Sequence, residues 1–466
     1  VGGLFGVVTR SDCVSDLFFG TDYHSHLGTK RGGLSVRGPE GFTRSIHSIE
    51  NDQFRSKFED DIGTMRGPMG IGVISDNDDQ PVLIRSHLGN YAIVTVGVIQ
   101  NAGELAQRAL TKARIHFSEM GGGDINPTEL TAALINQEAT FEDGIRNVMA
   151  SIVGSCTLLV LTEQGIYAAR DRLGRTPLAV GIREDACAVA SETCAFPNLG
   201  YETRRFLGPG EIVFLSADGL EQKKPPEQRL QICSFLWVYY GYPASSYEGI
   251  NVEIVRNRCG AALARKDDVK VDFVAGIPDS GIGHGLGYAA EAHLPYVRPF
   301  VKYTPTWPRS FMPQDQKARD LVAKMKLIPI HDIIDGKRLL FWEDSIVRGT
   351  QLKDTIQRLY DCGALEVHMR PACPPLTFGC KFLNFSRSRS ELDLAARMAI
   401  REMEGEEGRN LHDYAKAGSP RYQEMVDIVR KRLKLTSLRY QLLGDLVEAI
   451  GLPKERLCTY CWDGCE

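Results

Sequence analysis

The 466-residue sequence has no apolar run approaching the roughly 18 residues of a membrane-spanning helix, which excludes a helical membrane protein. It lacks a charged-then-apolar leader at its amino end, so a soluble, cytoplasmic protein is expected. It lacks an excess of either charge. There are 55 Lys and Arg against 59 Asp and Glu, a net charge of −4 with His neutral, and no basic block. Neither nucleic acid nor an anionic membrane is therefore an implied partner. It also lacks the short length of a disulfide scaffold, so its 12 cysteines are expected to be reduced thiols. Most of them, such as Cys156, Cys187, Cys194 and Cys259, have apolar or small neighbours and read as small buried hydrophobes. Cys458-Thr459-Tyr460-Cys461 fits that reading less easily. Taken alone, its spacing is compatible with zinc, with a redox pair or with no ligand.

A chain of this length exceeds one hydrophobic core, so two domains are expected. The polar segment Glu221–Leu230, with Lys223-Lys224-Pro225-Pro226, reads as a linker between a domain of residues 1–230 and one of residues 231–466. In the first, strand patterns recur at Gly2–Val8, Gly70–Ile74, Pro81–Arg85, Tyr91–Val98, Thr157–Leu161, Gly165–Ala168, Leu178–Gly181, Ala186–Ala190 and Glu211–Leu215. Helical stretches fall at Cys13–Tyr23, from Glu104 onward, at Pro127–Gln137 and at Phe141–Met149. Many strands with few helices imply an α/β sandwich of mainly antiparallel sheets. In the second domain, after an aromatic strand-like run Cys233–Tyr240, strand and helix patterns alternate: Ile254–Ala264, Val271–Gly276, Gly283–Ala292, Arg338–Trp342, Gln351–Tyr360 and Val367–Arg370. That alternation implies a parallel sheet with helices on both faces.

The most informative stretch is Lys337–Thr350. The apolar run Leu339-Leu340-Phe341-Trp342 ends in Glu343-Asp344, a small-residue loop follows, and a helix begins near Gln351. Such a layout suits a phosphate at the carboxyl end of a parallel strand, with loop N–H groups and the helix N-terminus facing the anion. The acids can hold sugar hydroxyls or a metal ion that accompanies a polyphosphate. An ordinary strand–turn–helix with a charged turn has the same outline. Ile277-Pro278-Asp279-Ser280-Gly281 follows a second apolar strand, and its small residues permit close backbone approach.

Leu340–Thr350 closely resembles the phosphoribosyl-pyrophosphate (PRPP) motif of type I phosphoribosyltransferases. Asp344-Ser345-Ile346-Val347-Arg348-Gly349-Thr350 resembles the amidophosphoribosyltransferase (glutamine PRPP amidotransferase) family in particular. The resemblance implies a type I phosphoribosyltransferase domain, displacement at the ribose anomeric carbon, and Mg²⁺ held by Ser280, Glu343 and Asp344. Glu343 and Asp344 would hold the ribose hydroxyls. Ser345, Arg348, Gly349 and Thr350 would cradle the 5′-phosphate, with Ile346 and Val347 in the same PRPP-binding loop, and Asp279, Ser280 and Gly281 would hold the pyrophosphate. Tyr303–Arg319 looks like a lid, with Arg309-Ser310-Phe311 and Gln316 resembling the family's closing loop and Arg309 catalytic. Glu343 stands where the family usually has Asp, and Trp342 and Gln351 also depart from its pattern.

The first 230 residues resemble the family's Ntn-hydrolase glutaminase, an αββα sandwich. The match is best at Gly154–Thr162, Ala168–Leu178, Ser191–Ala195 and Gly208–Ile212. The catalytic features do not match. The nucleophilic Cys position falls on Gly2, the His-Val-Arg-Tyr-Ser-Thr run on Val73-Ile74-Ser75-Asp76, the oxyanion Asn-Gly on Val96-Gly97, and the substrate-binding Asp on Pro127. Cys13 lies well past the first strand and is not expected to replace the nucleophile. Losing nucleophile, oxyanion donor and both substrate anchors removes what acyl transfer needs. His24 and His26 have a spacing compatible with a metal but no evident third ligand, and read as polar turn residues.

In the family's oxygen-sensitive members four cysteines bind a [4Fe-4S] cluster. Cys233, Cys380, Cys458 and Cys461 match them, with Cys373 and Cys465 as spare candidates; thiolates also suit zinc. The resemblance further implies nucleotide effectors and a homotetramer. The function expected is first-step purine synthesis from PRPP with ammonia, supplied free or by a partner glutaminase. A non-catalytic PRPP or nucleotide sensor and a phosphoribosyltransferase for another nucleophile are the alternatives.

Overall fold

Apart from the short pair Met120–Gly121 and Asp124–Ile125, the described strands up to Lys224 form two antiparallel sheets lying face to face. One runs in the order Glu202–Phe206, Ala179–Arg183, Ala186–Ala190, Gly2–Thr9, Met69–Ser75, Arg31–Gly38, Gly41–Ser48. The other runs Gly219–Lys224, Ile212–Ser216, Ile166–Ala169, Thr157–Leu161, Gly89–Val96, Val82–Ser86. Period-two alternation turns Leu4, Ile71, Val94, Leu159 and Val213 into the space between them, each contributing about 1.5–3 kcal/mol by burial. Helices Val14–Asp22 and Phe54–Thr64 cover the outer face of the first sheet; Ala102–Lys112, Pro127–Ile135 and Phe141–Ser151 cover the second. The expected αββα sandwich is thus present. This computed structural model describes residues 2–466 except 77, 113–116, 118–119, 122–123, 304–326, 384–390 and 406–409.

Two expectations are corrected. Glu221–Lys224 is not linker but the end of an edge strand paired with Ile212–Ser216; Glu221 is exposed, and Lys223 and Lys224 pair with Glu221 and Glu227, a charged pattern that an edge strand allows. The aromatic run after Cys233 is not a strand. Only Ile232–Cys233 is extended, paired in parallel with Leu457–Cys458, and Leu236–Tyr240 is a π-helical turn. Leu236, Trp237 and Val238 are buried in succession rather than alternately, and a short continuous apolar run cannot separate strand from buried helix.

The second half is built on four parallel strands in the order Phe273–Gly276, Arg338–Glu343, Glu366–Pro371, Ser437–Leu438. Leu340 and Trp342 face one core with helices Val252–Ala264 and Ile282–Ala292. Leu339 and Phe341 face the other, with Thr350–Asp361 and Pro420–Arg432. Burial on both faces explains why this strand reads as an unbroken apolar run. Among the described residues no helix is long and apolar enough to cross a membrane.

Arg370 Nε donates to Asp267 Oδ2 at 2.5 Å, with both side chains nearly inaccessible. Burial raises the Asp267 carboxyl, but the Arg370 hydrogen bonds and charge outweigh it and hold it below the usual carboxylate range. Asp267→Ala, which leaves the guanidinium buried and unpaired, is expected to lower stability by about 3–5 kcal/mol in urea melts at neutral pH. Because the folded pKa is depressed, the difference from wild type should be complete above about pH 4 and shrink as pH falls below it.

Candidate functional site

Strands Phe273–Gly276 and Arg338–Glu343 are parallel neighbours with Gly276 opposite Trp342, so the loops at their carboxyl ends meet. The Ile277 N–H donates to the Trp342 carbonyl at 2.8 Å. A Cβ on Gly281 would stand 2.2 Å from that same oxygen, so glycine is required there. Ser280 Oγ donates to Asp344 Oδ2 at 2.5 Å and Ser345 Oγ to Oδ1 at 2.6 Å, anchoring a carboxylate that is only 5% exposed. Glu343 lies half-buried beside it. Burial, then the Asp344 charge and hydrogen bond, push the Glu343 carboxyl well above its ordinary range. Lys302 Nζ pairs with Asp279 Oδ2 at 2.6 Å. Gly349, at φ 79°, turns the loop into helix Thr350–Asp361, whose first-turn N–H groups lack intrahelical acceptors.

The structure thus brings together Asp279, Ser280, Gly281, Glu343, Asp344 and Ser345. Ile346 is buried in a core, and Val347 packs against the other while its carbonyl accepts from the Ala395 N–H at 2.7 Å. Their side chains hold the loop and leave only backbone to face a ligand. Arg348 and Thr350 are exposed at the helix start. Arg309, Ser310, Phe311 and Gln316 lie outside the described residues. Sequence reasoning missed Lys302, and it missed the role of Cys373, whose thiol donates to the Asp344 carbonyl at 3.4 Å. Both arrive through tertiary contact and carry no local signal. It also missed His284, stacked on Trp342 with ring centroids 5.9 Å apart. Burial, then the Arg256 charge, lowers His284 to about 3, so it is a neutral support behind the strand.

Among the described residues no three His, Cys, Asp or Glu side chains stand in metal-binding geometry. Mg²⁺, however, is commonly held by one or two carboxylates together with substrate phosphates. The hard oxygens of Glu343, Asp344 and Ser280 fit that donor set, and a cation there would offset both the burial and the Asp344 charge that raise Glu343.

Cys233, Cys380, Cys458 and Cys461 line one small cavity with Arg175, Phe235, Phe382, Leu383 and Trp462. Cys233 and Cys458 are register partners in the short parallel pair. A hydrogen bond with Cys380, burial and the neighbouring thiols push Cys461 up; burial, then Cys458 and Cys380, does the same to Cys233. The four thiols do not converge closely enough to ligate one ion, but as four soft donors on a shared space they have the chemistry of a metal–thiolate group's donor set. Cys373 lines no part of that cavity, nor does the exposed Cys465.

Gly2, Ser75, Val96, Gly97 and Pro127 converge on one pocket of the amino-terminal domain. Gln80 also lines it, its amide accepting from the Thr95 N–H at 2.7 Å and donating to the Thr95 carbonyl at 3.2 Å. Cys156 is its nearest thiol, pushed up to about 12 chiefly by burial. Cys13 is fully buried outside the pocket, and burial and then Asp12 and Asp16 push its thiol far up. Neither thiol is poised as a thiolate. His24 accepts from the Glu192 N–H at 3.0 Å, and His26 lies 3.3 Å from Glu192 Oε1; they serve a buried polar cluster.

Residues 69–198 match a family model described as a glutamine amidotransferase domain. The chain is 30% identical over 417 residues to the amidophosphoribosyltransferase of Bacillus subtilis strain 168, covering 87% of this chain and 86% of the relative. It is 29% identical over 479 residues to that of Methanothermobacter thermautotrophicus, covering 99% and 93%. A solved structure of B. subtilis glutamine PRPP amidotransferase complexed with ADP and GMP superposes with a TM-score of 0.85 at 27% identity, covering 99% of this chain and 96% of that one.

Proposed function

Because the chain belongs to the amidophosphoribosyltransferase family, pentosyltransferases that open purine biosynthesis, we propose that it makes 5-phosphoribosylamine from PRPP with ammonia rather than with nitrogen from its own glutaminase domain. The observation that carries the transferase half is the Ser280–Asp344 bond, which ties the two loops together beside an acidic pair. The observation that carries the ammonia half is a pocket whose nucleophile position is Gly2.

In the transferase site Glu343 and Asp344 orient the ribose hydroxyls, and loop N–H groups from Ser345 to Thr350 hold the 5′-phosphate. Asp279, Ser280 and Gly281 place the pyrophosphate, with Lys302 set to exchange Asp279 for a phosphate oxygen. Ser280, Glu343 and Asp344 would hold Mg²⁺, which offsets the leaving group's charge when bound. Attack by the amine nitrogen at the anomeric carbon then expels pyrophosphate. The four cysteines would hold a [4Fe-4S] cluster that ties the carboxyl-terminal segment to the transferase domain. The ADP and GMP bound to the B. subtilis relative support nucleotide effectors here.

Pyrophosphate release from PRPP and Mg²⁺, measured anaerobically with no amine, with ammonia and with glutamine, tests both halves. Release with ammonia alone is expected. Release with glutamine would overturn the silent glutaminase, and PRPP binding without release under any condition would indicate a sensor.

A further inference from the structure

Arg175 belongs to the amino-terminal domain yet lines the four-cysteine cavity. The Asp171 carboxylate fixes its backbone, Oδ1 accepting from the Arg175 N–H at 2.9 Å. Its carbonyl accepts from the N–H of Cys233 at 3.2 Å, so it adjoins one of the four thiols through the backbone as well. The residue is 4% exposed. Its guanidinium lies over the Phe382 ring, 3.5 Å from the centroid, and reaches the Gly154 carbonyl at 3.4 Å. Nε has no partner, and among the described residues no carboxylate pairs with the group.

A buried guanidinium with no anion is costly enough that proteins rarely retain one. The other buried arginines are provided for: Arg370 has Asp267, Arg170 has Glu248, and Arg256 is ringed by the Trp237, Tyr239 and Gly241 carbonyls. The anion Arg175 lacks is one that occupies the thiol cavity. An iron–sulfur core with four thiolates carries net negative charge, and its potential depends on charge and hydrogen bonds at its sulfurs. We propose that Arg175 is the counter-charge of this metal–thiolate group, supplied across the domain boundary, with Phe382 holding the guanidinium plane in place.

This rests on the iron–sulfur assignment of the four thiols, and the experiment separates the two. Iron and sulfide are measured per chain in anaerobically purified full-length wild type, Arg175→Met and Arg175→Lys, and midpoint potentials are read by dye-mediated titration. In Arg175→Met the potential should fall by the equivalent of at least tenfold in the redox equilibrium, 59 mV for one electron, while Arg175→Lys retains most of the wild-type value. Arg175→Gln serves as the neutral variant should Arg175→Met not fold. An iron-bearing neutral variant with an unchanged midpoint, or a Lys variant shifted as far as the neutral one, overturns the counter-charge. A wild-type chain without iron and sulfide overturns the cluster and this role with it.

Discussion

Asp344→Asn is expected to cut ammonia-supported pyrophosphate release by about 10²–10³-fold, the effect of removing one preorganised electrostatic contact from a transition state. The fold should tolerate the change, because Asn can accept from one of Ser280 and Ser345 through its Oδ1 and donate its amide N–H to the hydroxyl of the other. Glu343→Gln should be similarly inactive but more stable in Mg²⁺-free buffer at neutral pH. The Glu343 pKa is raised in the fold, while the unfolded chain ionises the group above about pH 4.3. Wild type therefore loses stability as pH rises through that value, and Gln does not. Melting temperatures from pH 4 to 8 should show the two proteins together at the acid end and Glu343→Gln higher at pH 7. A variant that is less stable at pH 7 would contradict the strained carboxyl pair and the cation site built on it.

Glutamine is expected to support turnover at least about 10³-fold more slowly than ammonia, and Gly2→Cys should not change this. Restoring a thiol supplies one requirement only, and the loss of a single oxyanion donor already costs about 10²–10³-fold. Gly2 is also poorly suited to a side chain: its Cβ would lie 2.6 Å from the Ile74 carbonyl and 3.1 Å from Val96 Cγ2. Gln80 holds its own carboxamide against Thr95 at the same place. Glutamate production measured beside pyrophosphate release checks this, and any glutamine-dependent burst from Gly2→Cys would show that the pocket had kept more of its machinery than these residues indicate.

The parallel core was legible because burial on both faces writes itself as an apolar run, as in Leu339–Trp342. The two acidic and small-residue loops were legible from their position after such runs, and their pairing from the family resemblance. The hairpin Arg31–Gly38 and Gly41–Ser48 was not legible. Its second strand is a half-exposed edge, and Gly41-Phe42-Thr43-Arg44-Ser45 shows too little alternation to announce it. Charge hid the strand at Gly219–Lys224, and aromatic content disguised the helical turn at Leu236–Tyr240. Lys302, Cys373 and Arg175 act through space on residues 23 or more positions away, a separation no window along the sequence can register.

The boundary between the halves makes the first a structural part of the second. Glu192, 1% exposed, accepts from Tyr247 at 2.5 Å and from Ser245, while fully buried Arg170 lies 2.7 Å from Glu248. The Val98 N–H donates to the Phe382 carbonyl at 3.0 Å, beside the thiol cavity. A gene that shed residues 1–230 would strand Tyr247 and Glu248 and open one wall around Cys233. If the amide chemistry is silent, as proposed, the two functions of the chain are separable in chemistry but not in structure: a single residue such as Gly2 can decide glutamine hydrolysis, whereas the sandwich around it cannot be removed without unmaking contacts of the transferase half.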